Sequence, residues 1–148
     1  MNNNNSRFLT KGKRADNSEW VCGAYFSCTV NDEVTDYILM TKTCDDYSIT
    51  SSGLAEAIAD IHPIISETRS QCTGIPDENG VPIFENDIVL VDGGFYKVTF
   101  TENTGFALYN GRNRPQLLQL YISQLAGIKV CGNIFDNAEL MEINSLQG

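Results

Sequence analysis

Short apolar runs separated by turn-forming residues recur along the whole chain. This alternation of short runs and turns is the sequence feature that most limits the possible folds. The clearest run covers residues 19–30, where apolar and polar positions alternate. A period of two over this length is typical of a β-strand with one buried face. The alternation predicts that the buried face consists of Trp20, Cys22, Ala24, Phe26, Cys28 and Val30.

Turn chemistry separates further strands. The run Asn31-Asp32-Glu33 predicts a turn before a strand at 37–40, and residues 92–94 predict a turn after a strand at 88–91 that is buried on both faces. Alternation also predicts strands around 96–100, 106–108 and 128–134. We therefore expect one shared core that contains Trp20, Phe26, Val98, Phe100, Val130 and Ile134.

Two of the turns have particular backbone requirements. Asn79-Gly80 suits a type I′ hairpin turn, in which both central residues have positive φ. Asn86 follows Phe84-Glu85 and suits a single left-handed position before the strand at Ile88. We expect both segments to be structural turns.

Three segments favour helices. Residues 52–61 have apolar residues at helical spacing after Ser52, a possible cap, although the assignment between helix and strand stays open there. A second segment begins at Pro115 and runs to Leu125. Asp136 or Asn137 could cap a short terminal helix.

Together these elements predict a mainly β (α+β) protein, either a small barrel or packed curved antiparallel sheets with two or three short helices. We expect a disordered tail at residues 1–6 and a single domain at residues 7–148. That domain could consist of an N-terminal β part (7–65) and a C-terminal β part (66–148).

Charge is distributed unevenly. The net charge is −9, but residues 1–14 contain Arg7, Lys11, Lys13 and Arg14 and no acid. The remaining residues therefore carry −13, which makes direct nucleic-acid binding by the main domain unfavourable. For the basic segment 7–14, a solvated strand edge is favoured over a site for an anionic partner.

Neither a membrane span nor an export signal is visible, because no apolar run approaches the roughly 20 residues that a bilayer requires and residues 1–6 form an asparagine-rich tract. We expect a cytoplasmic protein. The five cysteines are an odd number without metal-ligand spacing, so we expect reduced thiols that bind no metal; they are Cys22, Cys28, Cys44, Cys72 and Cys131.

Residues that could carry catalysis are few. His62, the single histidine, has no nucleophile motif near it, and Asp92-Gly93-Gly94 lacks the lysine of a phosphate-binding loop. Asp45-Asp46 and Asp77-Glu78 are expected to be exposed acids in turns rather than metal ligands. The aromatic residues are expected to pack in the core rather than to stack on bases. We therefore predict no catalytic, metal or cofactor-binding residue.

Three blocks of the sequence resemble the YopX family of bacteriophage and prophage proteins. They are FLTKGKR (8–14) with DNSEWVCG (16–23), SETRSQCTG (66–74) with DENGVPIFENDIV (77–89), and IKVCGNIFDNAEL (128–140). This chain departs from the family pattern at four positions: it has Cys22 and Cys72 where tyrosine is usual, Asn86 where glycine is usual, and Ala138 where proline is common. The resemblance implies a largely β structure in the cytoplasm of a bacterial host, and it implies no activity.

Three functions stay open at this stage. The leading hypothesis is a non-enzymatic phage accessory protein that binds another protein or itself, with homo-oligomers as one form. The second is an acidic mimic of nucleic acid that inhibits a host enzyme. The third is a small enzyme in which carboxylates alone act on a nucleotide or another small molecule.

Overall fold

The computed structural model describes residues 9–40, 60–103, 105–111, 116–117 and 127–146. The chain divides into two compact units, Met1–Cys72 and Thr73–Gly148. The described elements are β1 (Thr10–Lys13), β2 (Trp20–Val30), β3 (Glu33–Met40), β4 (Ile61–Pro63), a 3₁₀ helix (Ser66–Thr68), β5 (Ser70–Pro76), β6 (Pro82–Phe84), β7 (Asp87–Val91), β8 (Gly94–Thr101), β9 (Gly105–Tyr109), β10 (Gln116–Leu117), β11 (Lys129–Asn133) and α1 (Glu139–Leu146).

The predicted mainly β class is confirmed by two antiparallel sheets. The number of helices differs from the prediction, because the described residues contain one α-helix, α1, and the short 3₁₀ helix. The predicted segment from Pro115 is wrong at Gln116–Leu117, which pair with β9 as a strand. The helix favoured for residues 52–61 is wrong at Ile61, which pairs with Leu39 in strand β4. The rest of both segments and the tail 1–6 lie outside the described residues, apart from Asp60.

In the first unit the strands follow the order β4-β3-β2-β1-β5. The hairpin of β2 and β3 is its longest pairing, from Gly23 opposite Met40 to Val30 opposite Glu33. Asn31 and Asp32 form its two-residue loop with φ of 50° and 65°. Positive φ at both positions is the type I′ geometry that matches strand twist, so the turn predicted here is confirmed.

The core of the first unit lies on the face of β2 opposite to the one that was predicted. Val21, Ile38 and Ile64 are buried, and Tyr25 and Met40 pack against them. The predicted inward residues are instead half-buried or exposed: Trp20, Cys22 and Phe26 are half-buried, and Ala24, Cys28 and Val30 are exposed.

Close backbone packing explains this reversal. Gly23 lies on the buried face, where a Cβ atom would collide with the carbonyl oxygen of Leu39. Gly12 lies opposite Val21 and leaves room for the side chain of Ile64. The core face of β2 therefore carries Val21, Gly23 and Tyr25, whereas Trp20, Cys22 and Phe26 lie on its other face.

In the second unit the end of β5 pairs with β6, and the other sheet has the order β10-β9-β8-β7-β11. Asp92 and Gly93, with φ of 49° and 79°, form the two-residue loop between Val91 and Gly94. The turn predicted here is confirmed, and so is the buried strand at 88–91. The core of the second unit consists of Ile83, Val89, Val91, Val98, Leu108 and Ile128, and Val130 packs against it.

The prediction of one shared core is wrong. Val98 and Val130 belong to the apolar cluster of the second unit, but Phe100 is 48% exposed and contacts Phe106 with ring centroids 5.0 Å apart. Trp20 and Phe26 belong to the first unit. The apolar residues form a separate cluster in each unit.

The predicted terminal helix is confirmed as α1, although Asn137 does not cap it with its side chain in the hydrogen bonds described. The Asn137 carboxamide oxygen instead accepts from the N–H of Asn133 at 3.2 Å, and the backbone oxygen of Asn137 accepts from Leu140 at 3.0 Å. Within the described residues, no helix combines the length and apolar character needed to cross a bilayer.

Candidate functional site

Asp77 is buried, so the prediction of an exposed turn acid is wrong at this position. Its Oδ1 accepts from the N–H groups of Asn79 and Val81, both at 2.8 Å. Its Oδ2 accepts from the N–H of Val130, 53 residues later, at 3.0 Å. The carboxylate therefore accepts hydrogen bonds from the backbone of one turn and from one distant strand. Its neighbour Glu78 is exposed, as predicted.

The hydrogen bonds set the charge state of Asp77. Burial alone would raise the pKa of this carboxyl, because a charge is costly in a poorly solvated site. The three N–H donors and the nearby Lys129 outweigh burial and hold the pKa of Asp77 below its ordinary value. Asp77 is thus an ionised structural anchor rather than a proton donor near neutral pH.

Turn geometry at Asn79-Gly80 differs from the predicted type I′ turn. Only Gly80 has a positive φ, of 80°, and its N–H donates to the Asp77 carbonyl at 3.0 Å. The Asp77 side chain holds the N–H of Asn79 and so stabilises a different turn, in which one glycine carries the left-handed position. The prediction for Asn86 is confirmed by its φ of 70°.

Asn86 also links strand β8 to the residue that follows β11. Its N–H donates to the carbonyl oxygen of Val98 at 2.8 Å, and its own carbonyl accepts from the N–H of Ile134 at 3.0 Å. The neighbouring Asp87 is buried and accepts from the N–H of Phe84 at 2.8 Å. These residues of the sequence block at 77–89 are therefore engaged in holding strands together.

Polar side chains in the block at 128–140 also form hydrogen bonds with the backbone. Oδ1 of Asn133 accepts from the N–H groups of Phe135 and Asp136, both at 2.9 Å. Gly132 lies so close to the carboxamide of Asn137 that a Cβ atom would collide with it. The asparagines of this block shape the turn between β11 and α1.

A third set of structural contacts joins the blocks at 8–23 and 66–74. Oγ1 of Thr68 accepts from the N–H of Lys13 at 2.8 Å and donates to the carbonyl oxygen of Ile65 at 2.6 Å. The buried Ser70 donates to the carbonyl oxygen of Thr68 at 3.0 Å. In each of the three blocks, the polar residues named above form hydrogen bonds with backbone groups.

Sequence reasoning missed one ionisable cluster in the first unit, formed by Tyr25, Asp36, Ser66 and Arg69. The Tyr25 hydroxyl donates to Asp36 Oδ1 at 2.7 Å, and the Arg69 guanidinium lies 4.6 Å from the centre of the Tyr25 ring. Hydrogen bonds from Tyr25 and Ser66, assisted by Arg69, lower the pKa of Asp36 against the opposing effect of burial. The cluster ties β2 and β3 to the 3₁₀ helix, and its carboxylate is already bonded.

The basic side chains at residues 11–14 contact other side chains of the first unit. Nζ of Lys11 and of Lys13 lie 5.0 and 5.5 Å from the Trp20 ring centre, within range of a cation–π contact. Arg14 forms an ion pair with Asp16, which raises the pKa of Arg14 and lowers that of Asp16. The prediction that the basic segment is a strand edge is wrong for β1, which lies between β2 and β5 and pairs with both.

The predicted absence of catalytic, metal and cofactor sites is not decided by the structure. His62 is half-buried in β4. Cys28 is exposed, Cys22 and Cys131 are half-buried, and Cys72 is buried; Cys44 and Asp45-Asp46 lie outside the described residues. Among the described residues, no three His, Cys, Asp or Glu side chains gather as metal ligands would.

The most distinctive exposed element is the outer end of the β2–β3 hairpin, residues 27–34, which we call the hairpin arm. All eight residues are exposed, on both faces of the two strands. Val30 and Val34 are 66% and 63% exposed, more than any other large apolar residue described. A two-stranded ribbon is marginally stable alone, so here the rest of the β2–β3 pairing and the Asn31-Asp32 turn hold it in register.

Comparison with known proteins agrees with the three sequence blocks. No protein with a curated description matches the chain. The model of the family described as "YopX protein" matches residues 11–142, which is most of the chain and most of each unit. This chain therefore belongs to the YopX family.

Proposed function

We propose that this protein is a non-enzymatic accessory protein of a phage or prophage, and that it works in the host bacterial cytoplasm by binding protein through the hairpin arm. The observation that carries the proposal is the exposure of every residue from 27 to 34, with two exposed valines at the arm's end. When a partner covers exposed apolar side chains on such a ribbon, the free energy falls, because apolar surface is removed from water.

The contrast between the arm and the family blocks supports this assignment. Polar residues of the blocks such as Asp77 and Asn86 hold turns and strands. The arm contributes nothing described to either hydrophobic cluster. A β-ribbon that serves no core is available for recognition, and main-chain edges are a common means of binding protein.

A carboxylate enzyme is less well supported, because acid–base catalysis requires carboxylates that converge on a substrate. The described buried acids, Asp36, Asp77 and Asp87, are each bonded to a hydroxyl or to backbone N–H groups. Mimicry of nucleic acid requires a continuous acidic face. The exposed acids of the described turns belong to six different turns, and they are Asp16, Asp32, Glu78, Asp92, Glu102 and Asp136.

The test is affinity purification of the tagged chain from phage-infected cells, followed by identification of the bound proteins. We expect a defined partner, either another protein or untagged copies of this chain. The double variant Val30→Lys, Val34→Lys should recover at least about tenfold less of it, since two charges replace the apolar end of the arm.

The matched control is Val81→Lys, because Val81 is also an exposed valine, at 45%, but lies in the second unit. It should recover the partner as the unmodified chain does. Equal recovery by the double variant would remove the arm from the proposal. Repeated recovery of nothing, together with a strictly monomeric mass, would refute protein binding altogether.

A further inference from the structure

One edge of the hairpin lacks the features that normally protect an exposed strand. Strand β2 contains no charged residue and no proline over its whole length, Trp20–Val30. Among the described residues, β1 pairs only with residues 20–23 of this edge. Residues 24–30 are therefore an uncharged strand edge that faces no other described strand. Proteins usually blunt such edges with lysine, proline or a bulge, because an unprotected edge pairs with another chain.

The opposite edge of the same hairpin is different. Strand β3 carries the acids Glu33 and Asp36. It also pairs with β4 at Tyr37–Leu39, and the N–H of Ile64 donates to the Asp36 carbonyl oxygen at 2.9 Å. Charge and a neighbouring strand protect this side, so within the described strands residues 24–30 of β2 form the edge that is left for a partner strand.

Backbone geometry shows which groups the open edge offers. Val30 and Glu33 flank a two-residue loop and so form a hydrogen-bonded pair, and pairing alternates from there along the hairpin. The N–H and C=O groups of Tyr25, Ser27 and Thr29 therefore point away from β3. These three residues are symmetric about Ser27, which is also the middle of the segment 24–30.

We infer that the arm's partner is a second copy of this chain, whose β2 edge pairs antiparallel with the first about a two-fold axis at Ser27. This inference rests on the proposed function and names its partner. With this register, Ser27 faces Ser27, and Tyr25 of each copy faces Thr29 of the other. Every outward N–H of the segment then meets an outward C=O, with two hydrogen bonds at each of the three pairs.

The side chains of the segment suit this register. Phe26 faces Cys28 of the second copy, and an aromatic ring with a polarizable sulfur is a favourable contact. Tyr25 opposite Thr29 is an aromatic and β-branched pair of the kind that stabilises sheets. No like charges meet within the segment, although the whole chain carries −9. The same patch on both copies makes the contact isologous, so it closes at a dimer.

The experiment compares two prolines on opposite edges of the arm. Thr29 and Val34 are directly paired across the hairpin, both are exposed, and the N–H of each points outward. Thr29→Pro removes a donor from the open β2 edge, whereas Val34→Pro removes one from the β3 edge. Sedimentation across a range of concentrations should show a dimer for the unmodified chain and for Val34→Pro. Association of Thr29→Pro should be weaker by about tenfold or more, because the lost bond occurs twice in the dimer.

A charge exchange at Ser27 tests the register and does not depend on proline. Ser27→Lys alone should be monomeric, since two lysines would face each other at the axis. Ser27→Glu alone should be monomeric for the same reason, and an equimolar mixture of the two should dimerise. Thermal melting of each variant confirms that it is folded before its mass is interpreted.

Two results would overturn the inference: an unmodified chain that stays monomeric at every concentration, or equal weakening by the two prolines. Neither result refutes the proposed function. If the arm binds a different protein, the Val30→Lys, Val34→Lys variant still loses that protein while the mass stays monomeric. If the arm binds nothing, the double variant loses neither a partner nor a dimer.

Discussion

Asp77 has a different role from the exposed turn acid that its sequence context predicts. A single carboxylate there accepts three backbone N–H groups, one of them from Val130. We expect Asp77→Asn to lower the free energy of unfolding by about 1–3 kcal/mol at pH 7, because an amide nitrogen cannot accept from an N–H. Denaturant unfolding measures the loss, and Glu78→Gln, at the exposed neighbour, is the control that should change little.

The same substitution has a defined pH dependence. The folded-state pKa of Asp77 is lowered, so its stabilisation is complete above the unfolded pKa of about 3.9 and disappears as pH falls through the folded value. The difference between the unmodified chain and Asp77→Asn should therefore be largest near neutral pH and shrink below about pH 4. A difference that grew on acidification would contradict the ionised assignment.

Asn86 gives a second prediction at the residue scale. Because its φ is 70°, Asn86→Gly should be neutral or mildly stabilising, since glycine has no Cβ to oppose this conformation. Asn86→Val should cost roughly 1–2 kcal/mol for the same geometry. Melting temperatures of the two variants decide the matter, and equal values would defeat the structural role of this turn.

Residue-level prediction succeeded where the cause was local. Asn86 and the pair Asn31-Asp32 favour positive φ by their own chemistry, and the structure has both. It failed for Asn79-Gly80 because the deciding group is the side chain of Asp77, which also bonds Val130. A hydrogen bond across 53 residues leaves no periodic signal in the sequence.

At the scale of elements, strand β2 shows why the buried face was assigned incorrectly. The face that was not chosen also carries Val21 and Tyr25, so alternation at the Trp20 end of the strand leaves two candidate faces. The choice follows from Gly23, whose contact with the Leu39 carbonyl admits no side chain. Strand existence was predictable from local pattern, whereas its orientation depended on strands that are distant in sequence.

The corrected face can be tested by two truncations. Ile38 is fully buried, so Ile38→Ala should cost about 2–5 kcal/mol of the free energy of unfolding. Phe26 is half-buried and stacks on Tyr37 with ring centroids 5.2 Å apart. Phe26→Ala should therefore cost only about 0.5–1.5 kcal/mol, the scale of an aromatic pair. Chemical denaturation of both variants checks the order, and a larger cost at Phe26 would restore the original face.

At the scale of the whole molecule, charge distribution bears on the proposed dimer. Each chain carries −9, so two copies repel each other while the paired β2 edges are uncharged. Salt screens the repulsion, since the Debye length falls from about 10 Å at 0.1 M to about 3 Å at 1 M. Dimerisation should therefore strengthen several-fold as salt rises across this range. Sedimentation at several salt concentrations checks the direction, and weakening by salt would indicate that opposite charges hold the copies together.

The order of strands in the second sheet has a consequence for synthesis on the ribosome. Strand β7 lies between β8 and β11, and β11 begins at Lys129. While the chain is being translated, β7 and β8 can pair at once, but the other side of β7 must wait for about 40 more residues, a delay of roughly 2–8 s at ordinary elongation rates. Throughout that interval the nascent chain displays an apolar strand whose inner hydrogen-bonding edge is still open. The growing polypeptide is thus open to aggregation, and to chaperone binding, while residues 92–133 are synthesised.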